Sequence, residues 1–444
     1  MELCHINPAE QVRAELDDAI RSVLARRAKE DFSLNFTRNR KLSPETLIKM
    51  ISFFGGNSLA KELRDFGSDV AVSSFVEARE KLAPDLFYEI MMRFNEGYTA
   101  APRFLFNGKR LVAVDGVCIN TACNPDSPSF MPNTGSKKGG YNQFKANVMV
   151  DLLSHIPVDL CLQPISRQDE LGGALGMLEF NPMPVPTVIV GDRAYAAYPF
   201  IAELQNTPNV DFVLRVKNNG FKPLQGLEYK ELDTDVEFTL TDKQTNEAKQ
   251  LGHIYVNTGS KFGKQNSPKT YVSRFRQPLP YVMRFRVVRT PLNTEDGTTW
   301  ETLVTSLPRD QFTAEDIIEI YRLRWAEELY FRHIKHDCGL CNMHSKREDY
   351  SIQQIYATFL TSSVIWKIIN SVALTQKPGL TYEYSVNTKM ATYLIKNFMK
   401  SPGADGGQLM KDLTRYVVPV RPGRSASRDG LKAKSFVPFC YRIA

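Results

Sequence analysis

Apolar residues in the first hundred positions recur at three- and four-residue spacing, as in Ile20, Val23 and Leu24 and again in Leu47, Ile48, Ile51 and Phe54. That is the period of helices with one buried face. Ser43-Pro44-Glu45 supplies a start signal for one of them, a serine N-cap with proline at the first helical position. No strand-like alternation interrupts the region, so residues 1–100 are predicted to be helical. From about Phe104 the pattern changes to short β-rich runs at 110–115, 146–151, 187–192 and 210–216. Helical stretches fit between them at 170–178 and 198–204, and this alternation implies a mixed α/β layer whose strand ends face a shared crevice.

Between Lys217 and about Glu301 alternation takes over, as in Val236-Glu237-Phe238-Thr239-Leu240-Thr241 and again at 282–289. Polar turns at Asn257-Thr258-Gly259-Ser260 and Glu295-Asp296-Gly297 separate these runs, so 218–300 is predicted to be an all-β insertion. A long helix should follow over 313–336, opened by Thr313 with Asp316 three positions later, a variant of the capping box. The most apolar stretch, 351–374, carries Gln353, Gln354, Lys367 and Asn370 and so reads as a buried helix, not a membrane span. The resulting segments are 1–100, 101–217, 218–300, 301–372 and 373–444.

With 444 residues, 43% of them hydrophobic and 24% charged, the chain has material for a sizeable core in two to four domains, which excludes disordered and fibrous classes. Its seven cysteines are scattered, and the opening MELCHINPAEQ has no apolar signal core, so a reduced cytoplasmic protein is expected in place of a secreted disulfide scaffold. The net charge of +7 is modest, but it is clustered. From Arg21 to Lys49 eight basic residues (Arg21, Arg26, Arg27, Lys29, Arg38, Arg40, Lys41, Lys49) face three acidic ones. The tail from Arg415 has seven (Arg415, Arg421, Arg424, Arg428, Lys432, Lys434, Arg442) against Asp429 alone. Such densities suit phosphate, although a merely solvated face has the same composition.

Three carboxylates stand out. Asp115 ends the apolar run 111–114 and Asp192 ends 188–191, so two strands are each expected to deliver one acid at their C-terminal ends. Taken singly, Asp-Gly and Gly-Asp are ordinary turn chemistry. The third is Glu328 on the predicted helix. At 100° per residue Tyr321, Arg324, Glu328 and Lys335 share a face, while Glu327 points elsewhere. One aromatic, two cations and a carboxylate suit a metal beside a phosphodiester, whereas a surface ion-pair ladder is the ordinary alternative.

The spacing Tyr321-x2-Arg324-x3-Glu328-x6-Lys335 resembles the signature of the IS4 family of insertion-sequence transposases. Asp192-Arg193-Ala194-Tyr195 is similar to that family's second-aspartate motif, with Ala194 where glycine is usual, and Asp115-Gly116 fits its first. The resemblance implies a helical N-terminal DNA-binding domain, an RNase H-like core split by the β insertion, and a basic C-terminal region. It further implies that Asp115, Asp192 and Glu328 hold two Mg²⁺ ions, with Mn²⁺ as a substitute. Tyr321, Arg324, Lys335 and Arg193 would contact DNA phosphates, and Trp300 would stack a flipped base in a hairpin pathway. The implied partners are double-stranded DNA, as terminal inverted repeats and target, and a second protomer on the paired ends. The implied setting is the bacterial nucleoid.

Other readings keep fewer residues in play. His333, His336, Cys338, Cys341 and His344 could suggest zinc, but the first two sit on the predicted catalytic helix. Cys118 and Cys123 have no evident histidine partner for nucleophilic catalysis. A DNA-binding regulator without catalysis, and an RNase H-like endonuclease without strand joining, are the alternatives from other classes.

Overall fold

The computed structural model describes residues 7–30, 41–133, 139–217, 221–256, 275–294, 297–343, 345–376 and 378–421. Arg38, Arg40, His344, the turns at 257–260 and 295–296, and the basic residues from Arg424 to Arg442 lie outside them. The N-terminal helices are α1 (Pro8–Glu30), α2 (Pro44–Ser52), α3 (Leu59–Asp65), α4 (Val72–Arg79) and α5 (Leu86–Ala100). Ser43 caps α2, its Oγ accepting the Thr46 N–H at 3.1 Å, and Leu47, Ile48 and Ile51 form the buried stripe. Glu62 on α3, fully buried, accepts the backbone N–H groups of Gly55 (2.7 Å), Gly56 (2.8 Å) and Asn57 (2.8 Å).

The central sheet is built from β1 (Arg110–Thr121), β2 (Phe130–Pro132), β3 (Gly140–Asp151), β4 (Pro157–Pro164), β5 (Thr187–Gly191) and β6 (Val210–Arg215), with α6 (Glu170–Phe180) and α7 (Tyr198–Asn206) between strands. It continues through β7 (Leu232–Thr241), α8 (Asn246–Gln250), β8 (Ile254–Tyr255), β9 (Tyr281–Thr294) and β10 (Gly297–Thr305). Its order is β2-β3-β1-β5-β6-β10-β9-β7-β8, with β4 also on β3. The central trio β1, β5 and β6 is parallel. Both faces of these strands are covered, which is why they read as unbroken apolar runs. Leu111, Ala113, Val188 and Val190 face one cluster, and Val112, Val114 and Ile189 face another with α6 and α7.

The predicted β insertion is thus no separate layer. It contains the short helix α8, and β10 pairs antiparallel with β6 (Leu303 opposite Arg215), so its strands extend the central sheet. Backbone groups of a sheet edge need partners, and the alternating pattern alone did not say which strand would supply them.

The helix predicted over 313–336 is divided. It comprises α9 (Ala314–Leu323), α10 (Trp325–Arg332) and a π-helical turn (His333–Asp337). Thr313 and Asp316 form the full capping box, Thr313 Oγ1 accepting the Asp316 N–H at 3.2 Å and Asp316 Oδ2 accepting the Thr313 N–H at 2.8 Å. Thr313→Ala should therefore lower unfolding stability by about 1 kcal/mol in a urea titration. An unchanged midpoint would show that packing alone holds the start of α9.

The apolar stretch after it is α11 (Glu348–Asn370), buried along most of its length. Among the described residues no helix is long and apolar enough to cross a membrane. Beyond it come β11 (Tyr384–Val386), α12 (Thr388–Lys400), α13 (Gly406–Arg415) and β12 (Val417–Pro419). Apolar residues of α1, α2, α5, α11 and α12 pack in one cluster with Val117 and Ile119 of β1 and Ala146 and Val148 of β3. Lys400 of α12 donates to Glu62 Oε2 at 3.2 Å. The segments 1–100 and 373–421 therefore share a core instead of standing apart, a long-range contact that local periodicity does not encode.

Candidate active site

Asp115 and Asp192 meet where β1 and β5 part. The last paired residues are Val114 and Gly191, so each aspartate comes next on its own chain. Alternation puts both on the face of Ala113 and Val190, which is covered by Ile317, Ile320 and Tyr321 of α9. Asp115 does not end its strand as predicted. β1 runs on through Gly116 to Thr121 because β3 pairs with it there (Gly116 opposite Asn147), although β5 has already stopped. The crevice is the gap that β5 leaves.

Asp115 Oδ1 accepts the Gly116 N–H at 2.7 Å, and Asp192 Oδ1 accepts the Ala194 N–H at 2.8 Å. Alanine thus serves the second turn, since only its amide is used. Burial raises the Asp115 carboxyl above its usual range and Asp192 adds to this, while the Gly116 N–H, Arg324 and Lys145 oppose it. Any Cβ on Gly116 would collide with Lys145 and Glu170, which form an ion pair across that position. The requirement at Gly116 is for space.

Arg324, at the junction of α9 and α10, lies 4.0 Å from Asp115 Oδ2 and 3.4 Å from Glu328 Oε1 and 5.6 Å above the centre of the Tyr321 ring. The structure thus brings Tyr321, Arg324 and Glu328 together with Asp115. Lys335 is half-buried on the π turn, whose extra residue per turn changes its phase relative to Glu328. Arg193 is exposed beside Asp192. Trp300 is half-buried on β10, and alternation places it with Thr302, on the face opposite to Glu301 and Leu303, away from α9.

Glu327 departs most from expectation. Arg324 N–H bonds to the Tyr321 carbonyl (3.1 Å) and Glu327 N–H to the Arg324 carbonyl (3.0 Å), both three-residue steps. In such turns positions three apart eclipse, so Glu327 lines up behind Tyr321 and Arg324 and turns inward. It is fully buried, and neither carboxylate oxygen has a hydrogen-bond partner. Burial pushes its carboxyl well above the usual range, Asp115 and Asp192 push the same way, and Arg324 opposes. Tyr195 is also buried with its hydroxyl unpartnered; burial and then Glu170, Asp115, Glu327 and Asp192 hold its proton on. A uniform 100° helix gave no signal for Glu327, whereas Tyr195 lay within the motif around Asp192.

The cations acting on Asp115 are Arg324 and Lys145, the latter already paired with Glu170. Orphaned carboxylate oxygens in an acidic crevice are hard donors suited to a divalent cation. Among the described residues no three His, Cys, Asp or Glu side chains are gathered closely enough to ligate one ion as they stand. Farther along, His333 contacts Cys338 Sγ (3.3 Å) through Nε2 and Asp337 Oδ2 (3.2 Å) through Nδ1, so both ring nitrogens are engaged.

The chain is 37% identical over 67 residues to the Escherichia coli transposase for insertion sequence element IS421, covering 15% of this chain and 18% of that one. The same figures hold for InsL of insertion sequence element IS186A from Escherichia coli strain K12. The match therefore spans under a fifth of the length of these curated relatives. Among solved structures, the cryo-EM structure of the piggyBac transposase synaptic complex with hairpin DNA aligns over 99% of this chain and 92% of that chain, with TM-score 0.44 and 11% identity. The family described as Transposase DDE domain matches residues 106–364, from just before β1 into α11. Because that match takes in both aspartates, the whole sheet, α9 and α10, and more than half of the sequence, the protein belongs to the transposase DDE domain family.

Proposed function

We propose that this chain is the transposase of a bacterial insertion sequence of the IS4 group, cleaving DNA at the element's inverted-repeat ends and joining the freed ends to a target. The observation that carries the reading is the pair Asp115 and Asp192 on adjacent parallel strands, facing Arg324 and Glu328 across the crevice. Asp115, Asp192 and Glu328 act as metal-holding carboxylates in an RNase H-like core, with residues 1–100 as the DNA-binding region and a homodimer pairing two ends. A bound divalent ion, Mg²⁺ or Mn²⁺, would stabilise charge on the attacked phosphodiester and ease deprotonation of the attacking water.

The chain's own groups do the rest. Arg324 presents a planar fork to non-bridging phosphate oxygens, Lys335 and Arg193 add point or forked charge, and Tyr321 fixes the Arg324 plane. Water oxygen bonds to phosphorus as the 3′ oxygen leaves with a proton. That 3′-OH then attacks the opposite strand, giving a hairpin; a second water reopens the hairpin and frees the 3′-OH, which attacks the target, with one P–O bond formed for each one broken. No covalent protein intermediate is needed.

The test is incubation of the full chain with Mg²⁺ and a DNA fragment carrying the gene's own flanking ends, alongside Glu328→Gln, on a denaturing gel. Cleavage at the ends by the unaltered protein, lost in Glu328→Gln, is expected. Binding without cleavage by either would replace this reading with that of an inactive regulator.

A further inference from the structure

The turn that carries Lys335 ends against the N-terminal helices, and a buried lysine of α12 holds the two together. Cys338 caps the π turn, its N–H donating to the His333 carbonyl at 3.0 Å. Gly339 follows with a φ of +88°, a left-handed step that stops the helix, and a Cβ there would stand 3.6 Å from the Gly55 carbonyl oxygen. The N–H groups of Leu340 and Cys341 then close back on the carbonyls of Ile334 and Lys335, both at 3.1 Å. The carbonyl of Cys338 is an end-of-helix acceptor, and Lys396 Nζ donates to it at 2.9 Å. The same ammonium donates at 3.1 Å to the carbonyl of Phe54, the residue after the C-cap of α2. Lys396 is 6% exposed. One buried cation thus sits at the C-terminal ends of two helices, where carbonyl dipoles favour positive charge. The loop it grips is fixed from its other side by Glu62, which accepts the N–H groups of Gly55, Gly56 and Asn57.

We infer that Lys396 is a positioning residue for DNA cleavage: by tying the Cys338 carbonyl to the loop after α2, it sets the π turn and with it the direction of Lys335. The inference rests on the reading of Lys335 as a phosphate contact and adds what holds that contact in place. Lys335 carries its charge on a flexible four-carbon stem, so where the ammonium can reach depends on the twist of the backbone beneath it. A regular α-helix keeps its own twist through its own bonds. A π turn is a local departure from that ladder, and here the departure ends on a carbonyl that is held from outside. Residues 1–100, read as the DNA-binding region, therefore reach the cleavage chemistry through one ammonium.

The experiment measures single-turnover cleavage of the flanking-end fragment with Mg²⁺ at saturating protein, for the unaltered full chain, Lys396→Met, Lys335→Ala and the double variant. Methionine keeps an unbranched apolar stem and removes the ammonium. At saturation a variant that is merely less stable keeps its rate, so the rate reports geometry. Lys396→Met and Lys335→Ala should each slow cleavage by about tenfold or more. The double variant should be no slower than Lys335→Ala alone, because both changes remove the same contact. An unchanged rate in Lys396→Met, or a double variant slowed by the product of the two single effects, would overturn the positioning role and leave the cleavage reading standing. Lys335→Ala cleaving at the unaltered rate would remove Lys335 from the chemistry and the inference with it. An unaltered protein that cleaves nothing would overturn the transposase reading as well, a separate and recognisable result. Should Lys396→Met fail to fold, Gly339→Ala decides, since it disturbs the same turn at its left-handed step. It should slow cleavage only while Lys335 is present, and an undiminished rate or a multiplied effect would overturn the inference.

Discussion

Asp115→Asn should leave a folded protein that binds its DNA ends but cleaves them at least about a thousandfold more slowly, equivalent to roughly 4 kcal/mol of lost transition-state stabilisation. Asparagine fills the same volume and keeps an oxygen for the Gly116 N–H, the 2.7 Å bond that fixes the side chain. What it removes is the negative charge that makes the crevice attractive to a cation. Folding should not suffer, because burial already disfavours that charge in the free protein. Cleavage is read on a denaturing gel and binding by mobility shift on the same fragment. Cleavage within tenfold of the unaltered protein would remove Asp115 from the chemistry.

The largest effect on stability should come from Glu62→Ala, far from the crevice. Three backbone N–H groups converge on one of its oxygens and Lys400 on the other, with Lys400 itself nearly buried. Truncation leaves three donors without their acceptor at once and takes from Lys400 one of its two carboxylates, the other being Asp65 at 3.2 Å. Breaking one partner out of such a buried pair costs about 3–5 kcal/mol. Urea unfolding followed by circular dichroism measures the loss, and hydrogen exchange at the amides of Gly55, Gly56 and Asn57 should accelerate specifically. A loss below about 1 kcal/mol would mean that water replaces the carboxylate in that loop.

The sequence made both aspartates legible because each closes an apolar run long enough to be a buried strand, and the start of α9 because Thr313 and Asp316 stand at capping distance. It hid the rest for physical reasons. Gly116 to Thr121 mix polar and apolar residues, so the extension of β1 beyond Asp115 depends on β3, which lies some thirty residues away. A uniform helical twist puts Glu327 off the face of Glu328, and two tight turns at Arg324 and Glu327 are enough to bring it inside. Trp300 was readable as a strand residue, but which face of the sheet it occupies was fixed only by the register of β10 on β6 and β9.

The cluster that joins α1, α2 and α5 to α11 and α12 bears on how such a protein could change its preferences over time. Side chains from both ends of the chain interdigitate there, so an imported N-terminal segment would meet holes and collisions shaped by a different history. Single substitutions on the solvent side of α1 to α5 leave that packing intact, whereas exchange of the whole segment would not.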